Sequence, residues 1–174
     1  MMRSTTRNGD PAAYALAILR VWVGLWFAKA IVTKMSFGLL GVLPGASPRW
    51  IETMPKIIGR QMAENPIGWY KAFVEGTVLP NAATFAHLTA LGEAVAGILL
   101  VLGLFTGVGS LIALLLTINY GLATWHMSPA SQGFHYTLAA VMVALFIGRA
   151  GLTWGLDGLL ADQRQWWGAK RPWS

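Results

Sequence analysis

Glu93 stands in the middle of an otherwise apolar run, residues 88–102, LTALGEAVAGILLVL. A carboxylate in such a run must be protonated, paired or wetted, because an ionisable group in lipid costs several kcal/mol. Arg20 and Lys29 interrupt the first apolar run in the same way. At 1.5 Å of helix rise per residue, Glu93 sits about 16 Å along its helix, near mid-membrane. Lys29 and Arg20 fall about 10 Å and about 24 Å from the same side, so either side chain can reach toward it. Two accounts fit. Glu93 is a catalytic carboxylate that relays protons or serves a quinone, or it is one partner of an interhelical ion pair with Arg20 or Lys29.

A second constellation is the set of three histidines, His87, His126 and His135. His87 opens one predicted helix, His126 closes the next and His135 opens the last, which places all three at one membrane level. Trp125, Tyr136 and Trp69 belong to that layer, and Asn119 lies two turns below His126 at roughly the depth of Glu93. Such a layer would bind a quinone carbonyl through hydrogen bonds, ligate a metal, or hold a bis-histidine haem. The plainer account is that His, Trp and Tyr favour the membrane interface. None of the histidines has a tight ligand spacing, so no metal site is expected.

The elements that position these groups follow from hydropathy. A spanning helix needs about 20 apolar residues. Four stretches qualify, 12–34, 82–103, 108–127 and 133–148, the last of them short for a span unless its flanks extend it. Pro11 suits the start of the first. That first stretch also imitates a signal peptide, with Arg3 and Arg7 ahead of it and Ala28-Lys29-Ala30 as a small-x-small site. Arg20 inside the apolar core favours a retained helix instead. The tight connections 104–107 and 128–132 make the second, third and fourth helices antiparallel neighbours. Gly92, Ala96, Gly97, Gly109 and Ala113 let backbones approach closely.

Composition agrees. Of the 174 residues 55% are hydrophobic and only 11% charged, with a mean hydropathy of +0.53. A soluble domain carries about 25% charged residues. The fold class is therefore an all-α integral membrane protein, a four-helix bundle in the lipid bilayer forming one domain over residues 1–174. The chain has no cysteine, which excludes a disulfide, a thiolate nucleophile, a cysteine-ligated iron–sulfur cluster and a thiol sulfur carrier. The net charge of +6 is scattered rather than gathered in a stripe, so nucleic acid is not an expected partner.

Residues 35–81 form a long extramembrane loop with amphipathic pieces. Trp50, Ile51, Met54, Ile57 and Ile58 recur at helical spacing among Glu52, Lys56 and Arg60, and Trp69, Phe73 and Val74 repeat the pattern. These pieces lie on the membrane surface or cap the bundle. Four spans put both termini on one side. That side carries Arg3, Arg7, Arg149, Arg164, Lys170 and Arg171 against Lys34, Arg49, Lys56, Arg60 and Lys71 opposite. The bias favours cytoplasmic termini in the inner (cytoplasmic) membrane, with 149–174 a cytoplasmic tail anchored by Trp166, Trp167 and Trp173.

The segment 65–81, NPIGWYKAFVEGTVLPN, resembles the loop ahead of the second helix in DoxD-type proteins. The run that follows, with Gly92, Glu93 and Gly97 as a G-E-x-x-x-G core, is similar too. Gly148-Arg149-Ala150-Gly151 through Leu156-Asp157 resembles the glycine-rich Leu-Asp finish of the wider DoxX family, and Arg20, Gly24, Phe27 and Lys34 fit its first helix. The likeness covers about residues 20–157. It implies a four-helix bundle and marks Glu93, Arg20 and Asp157 as family positions. It further implies a small subunit of thiosulfate:quinone oxidoreductase, with quinone as electron acceptor and a DoxA-like subunit as partner, since no DoxA-like part follows Asp157.

Two roles compete on this basis. In one the chain is the quinone-linked membrane subunit of an oxidoreductase, with the quinone near His126, His135 and Asn119 and with His87, Trp125 and Tyr136 around it. In the other it is a non-catalytic accessory subunit of a larger respiratory or photosynthetic complex. Solute transport is a weaker third, because no inverted repeat or paired broken helices are visible.

Overall fold

A computed structural model describes residues 10–37 and 44–161. The basic residues and tryptophans of the two terminal segments, from Arg3 and Arg7 to Arg164, Trp166, Trp167, Lys170, Arg171 and Trp173, lie outside the described residues.

The first span is α1 (Pro11–Ala28), continued past a local break at Lys29 by the single turn α2 (Ala30–Thr33). Asp10 caps it, its Oδ1 accepting from the Ala12 N–H at 3.0 Å, with Pro11 at the first helical position. Two short strands follow, β1 (Met35–Phe37) and β2 (Pro44–Ala46), antiparallel with Met35 opposite Ala46 and Phe37 opposite Pro44. Then come α3 (Pro48–Ala63), α4 (Gly68–Phe73) and a π-helical turn over Val74–Val78. The remaining spans are α5 (Ala82–Leu102), α6 (Thr106–Ala123) and α7 (Pro129–Ile147). Together with Pro11–Thr33 they make four helices long and apolar enough to cross a membrane.

Helix ends differ from the hydropathy windows where caps decide them. The third span stops at Ala123, so Trp125 and His126 lie in the following turn rather than on the helix. The fourth starts at Pro129, four residues before Gly133, because the Ser128 hydroxyl accepts from the Ser131 N–H at 3.1 Å and Pro129 takes the first helical position. A Ser-Pro start is a legible signal; in a polar pentapeptide it reads as a connection.

In space α1 packs on α5, α5 on α6 and α6 on α7. The core joins Val23 and Phe27 of α1 to Ala96 and Leu100 of α5, Ala113 of α6, and Met142 and Leu145 of α7. Two glycines set the α1–α5 register. A Cβ on Gly24 would lie 2.7 Å from the Val101 backbone nitrogen, and one on Gly97 would collide with the backbone of Ala28. The helices thus touch backbone to backbone, as small residues permit where lipid offers no hydrophobic drive. Following that antiparallel register brings the last turn of the first span level with Glu93, half-way along α5. The earlier part of α5 rises past the first span and is covered by the β-hairpin and α3, with Ala46, Met54, Ala86 and Ala90 packed together.

The α3 helix turns Met54 and Met62 inward and leaves Glu52, Lys56 and Arg60 exposed. At the opposite end of the bundle, residues after α7 fold back instead of trailing away. Ala150 and Gly151 are buried in a 3₁₀ turn, and the Trp154 ring stands 4.9 Å from that of Tyr14. Asp157 Oδ1 accepts from the Phe105 N–H at 2.7 Å and Oδ2 from the Thr106 N–H at 2.9 Å, capping α6 from a distant part of the chain. Phe105 has a left-handed φ of 45°, a strained conformation that this double acceptor holds in place.

Candidate functional site

Glu93 is buried in the middle of α5, and its carboxylate is fully engaged. Lys34 Nζ lies 2.7 Å from Oε2 and donates to Oε1 at 2.9 Å. The Tyr120 hydroxyl donates to Oε1 at 2.7 Å. The same ammonium sits 4.4 Å from the centre of the Trp50 ring and 5.5 Å from that of Tyr120, so two aromatic faces help to hold a cation at membrane depth. Contacts this short have the geometry of charge-assisted hydrogen bonds.

The cation partner is therefore Lys34, not Lys29 or Arg20. The α1–α5 offset explains the difference: counting along two flush helices misplaces a partner by about a turn or more. Lys29 is exposed and stands over the Trp26 ring at 4.9 Å. Arg20 is fully buried toward the other end of the bundle, where Nη2 donates to the Trp154 carbonyl at 2.9 Å, between Gly103 and Gly155. Arg20 and Asp157 thus belong to the closure of the terminal end, far from Glu93.

Beside the Lys34–Glu93 pair lies a cavity of about 360 Å³ between the end of the first span, α6 and α7. Glu93, Lys34, Lys29, Tyr120, Thr124 and His135 contribute its polar lining. A second cavity, about 560 Å³ and mostly apolar, lies under α3 against α5 and α6, with Asn119 in its wall. Gln61, Tyr120 and Ala123 border both. Lys34 also lines a more open recess of about 450 Å³ with Thr33, Arg49, Trp50 and Thr53.

The histidine layer does not come together. His87 Nδ1 accepts from the Ala46 N–H at 2.9 Å and so anchors the hairpin to α5. His135 Nδ1 lies 2.7 Å from the Ser131 carbonyl of its own helix, which makes it the protonated nitrogen and leaves Nε2 for the polar cavity. His126 Nδ1 is buried without a hydrogen-bond partner. Among the described residues no three of His, Asp and Glu gather closely enough to hold a metal ion. Trp125 and Tyr136 pack edge to face at 5.9 Å, and Gln132 donates to the Trp125 carbonyl at 2.6 Å. These two stabilise the α6–α7 turn and border neither cavity.

Asn119 is set by Tyr70, whose hydroxyl lies 3.1 Å from Oδ1 and 3.2 Å from the Asn119 carbonyl. Burial pushes the Tyr70 phenol up to about 12. Lys34, Tyr120, Tyr70 and Gln61 are functional candidates that sequence reasoning passed over. Tyr120 adjoins Asn119 in an apolar run, which is a detectable signal; Lys34 reads as the polar last residue of the first span, where a cation is ordinary.

The family model described as TQO small subunit DoxD matches residues 15–174. No curated protein and no solved structure matches the chain.

Proposed function

We propose that this chain, which belongs to the DoxD family, is the quinone-linked membrane subunit of an oxidoreductase of the thiosulfate:quinone type. Its residues include no cysteine and so supply no thiol chemistry; in this reading the electron pair withdrawn from two thiosulfates arrives from a redox centre on a partner subunit of the DoxA kind. The quinone takes two electrons and two protons, each carbonyl oxygen gaining one O–H bond. This chain's part is to hold the quinone in the bilayer and to deliver those protons.

The observation that carries the proposal is Glu93, a carboxylate buried half-way along a spanning helix, engaged by Lys34 and Tyr120 and bordering a cavity. A purely structural pair needs no cavity, whereas a proton-exchanging group does. Placing the termini in the cytoplasm puts Lys34, α3 and the hairpin toward the outer face of the inner membrane. His135 and Asn119 remain the quinone-layer residues that border the cavities; His87, His126, Trp125 and Tyr136 support the surrounding turns.

The test is thiosulfate-dependent quinone reduction in membranes carrying the chain with its native partners. Glu93→Gln keeps the shape and removes the exchangeable charge. Turnover should fall by about 100-fold, the scale of a lost general acid–base group, while the bundle stays folded. Unchanged turnover would reject the role.

A specific feature supports a second reading, an accessory subunit of a larger respiratory or photosynthetic complex. The α7 span is buried over only 11% of its apolar window, against 33–39% in the other three, leaving Phe134, Tyr136, Val143, Phe146 and Ile147 exposed. Gentle extraction from native membranes followed by mass spectrometry separates the two. A DoxA-like partner supports the first reading, and a large complex without one supports the second.

A further inference from the structure

The geometry points to a division of labour between the two cavities: the quinone ring occupies the apolar cavity under α3, and the polar cavity is its proton vestibule, with Tyr120 as the link. This rests on the quinone-linked reading above and adds the place of the ring and the order of the relay.

Size and lining favour the apolar cavity. At about 560 Å³ it falls in the range of small-molecule sites, which are mostly apolar with a few placed polar groups. Its walls are Met54, Ile58, Phe85 and Leu116, and its rim includes Leu88 and Leu115, exposed to 58% and 68%. Both rim residues lie on spanning helices, so the mouth opens toward lipid. An isoprenoid quinone therefore enters sideways with its tail still in the bilayer. The polar cavity, about 360 Å³ and bordered by Lys34, Lys29 and Glu93, suits water better than an apolar ring.

Two hydrogen-bond donors are left over in the apolar cavity. The Asn119 Oδ1 is taken by Tyr70, which leaves its amide N–H₂ without an acceptor among the described residues. The Gln61 carboxamide, in the wall shared by both cavities, likewise has no partner among them. A quinone carries two carbonyl acceptors and matches this pair.

Tyr120 borders both cavities, and its hydroxyl already donates to Glu93 at 2.7 Å. When the two-electron-reduced ring carries charge on oxygen, that oxygen takes the Tyr120 proton. Tyr120 recovers a proton from the Lys34 ammonium by way of the Glu93 carboxylate, and Lys34 is reprotonated from water in the polar cavity that it also lines. The second proton repeats the path, and the electron pair is that supplied by the partner subunit. Tyr120 touches substrate and is the catalytic residue; Glu93 and Lys34 act through it.

The experiment is photolabelling of native membranes with a short-tailed azido-quinone, mapped by peptide mass spectrometry, beside quinone-reduction assays on the same membranes. Label displaced by excess unlabelled quinone should fall on residues 54–61, 85–89 and 115–120. Displaceable label on residues 26–34 or 134–138 would move the ring to the polar cavity and overturn the division, with the quinone-linked reading intact. Absence of displaceable label from this chain while quinone reduction runs would overturn the placement alone. Absence of both label and reduction would overturn the placement and that reading together. Two variants check the roles. Leu115→Trp narrows the mouth and should raise the KM for quinone about tenfold with kcat retained. Tyr120→Phe keeps the wall and should preserve labelling while lowering kcat about 100-fold; unchanged kcat with a folded protein would remove Tyr120 from the relay.

Discussion

Lys34 and Glu93 meet at 2.7 Å although 59 residues separate them, and the meeting depends on an offset between the first span and α5. The Gly97–Ala28 and Gly24–Val101 contacts create that offset. The pair is partly shielded, with side-chain exposures of 21% and 10%, so removing one member leaves the other poorly solvated. Lys34→Met should lower stability by about 3–5 kcal/mol, the cost of an uncompensated buried charge. Lys34→Met with Glu93→Gln should recover much of that loss. Thermal unfolding of the four proteins of the cycle in detergent measures the coupling, for which about 1–3 kcal/mol is expected; strictly additive losses would mean the pair is not coupled.

Gly97 offers a test of the register itself. A Cβ there meets the Ala28 backbone, which cannot rotate aside as a side chain can. Gly97→Ala should cost about 1–3 kcal/mol, in the range of overpacking, and Gly97→Leu should prevent the α1–α5 contact. Melting temperature and size-exclusion profile report both. A Gly97→Ala protein as stable as the parent would show that the helices are less closely apposed.

Asp157 caps α6 from outside that helix through two backbone N–H groups. Asp157→Ala should destabilise by about 1–2 kcal/mol, as the loss of a helix cap does, and Asp157→Asn by less because one acceptor oxygen remains. Hydrogen exchange at Phe105 and Thr106 is the local readout. Both amides should lose protection in the alanine variant before the middle of α6 does.

Tyr70 makes stability depend on alkaline pH. Its phenol, 2% exposed, titrates near 12 in the fold against about 10 in an unfolded chain. Below pH 10 both states are neutral and the full contribution is present. Between 10 and 12 the unfolded chain ionises while the fold does not, so stability falls as pH rises. Denaturant unfolding at pH 9 and pH 11.5 should show the loss, and Tyr70→Phe should reduce the slope by one tyrosine's share. An equal slope in that variant would assign the effect to other groups.

The four spans, the bilayer as solvent and the neighbour relations of α5, α6 and α7 were determined by the sequence alone. Hydropathy acts locally, and a connection as tight as the one after Gly103 leaves its helices no choice of partner. The same holds for Glu93 as a group needing a partner, since the cost of a charge in lipid does not depend on the fold. The DoxD likeness also stood on order and spacing in the chain, from Gly92-Glu93 to Leu156-Asp157.

Which residue answers Glu93 was decided only in three dimensions. Along the sequence Lys29 and Arg20 are the plausible cations, and the close backbone contacts at Gly24 and Gly97 set the register that selects Lys34. Tertiary structure likewise dispersed the histidines: a hairpin nitrogen claimed His87, a helical carbonyl claimed His135, and an early end to α6 carried His126 into a turn. It folded residues 150–157 back onto α1 and α6, where sequence suggested a tail. The two cavities and the Tyr120 wall between them have no signature along the chain, because a cavity is a property of how surfaces fail to meet.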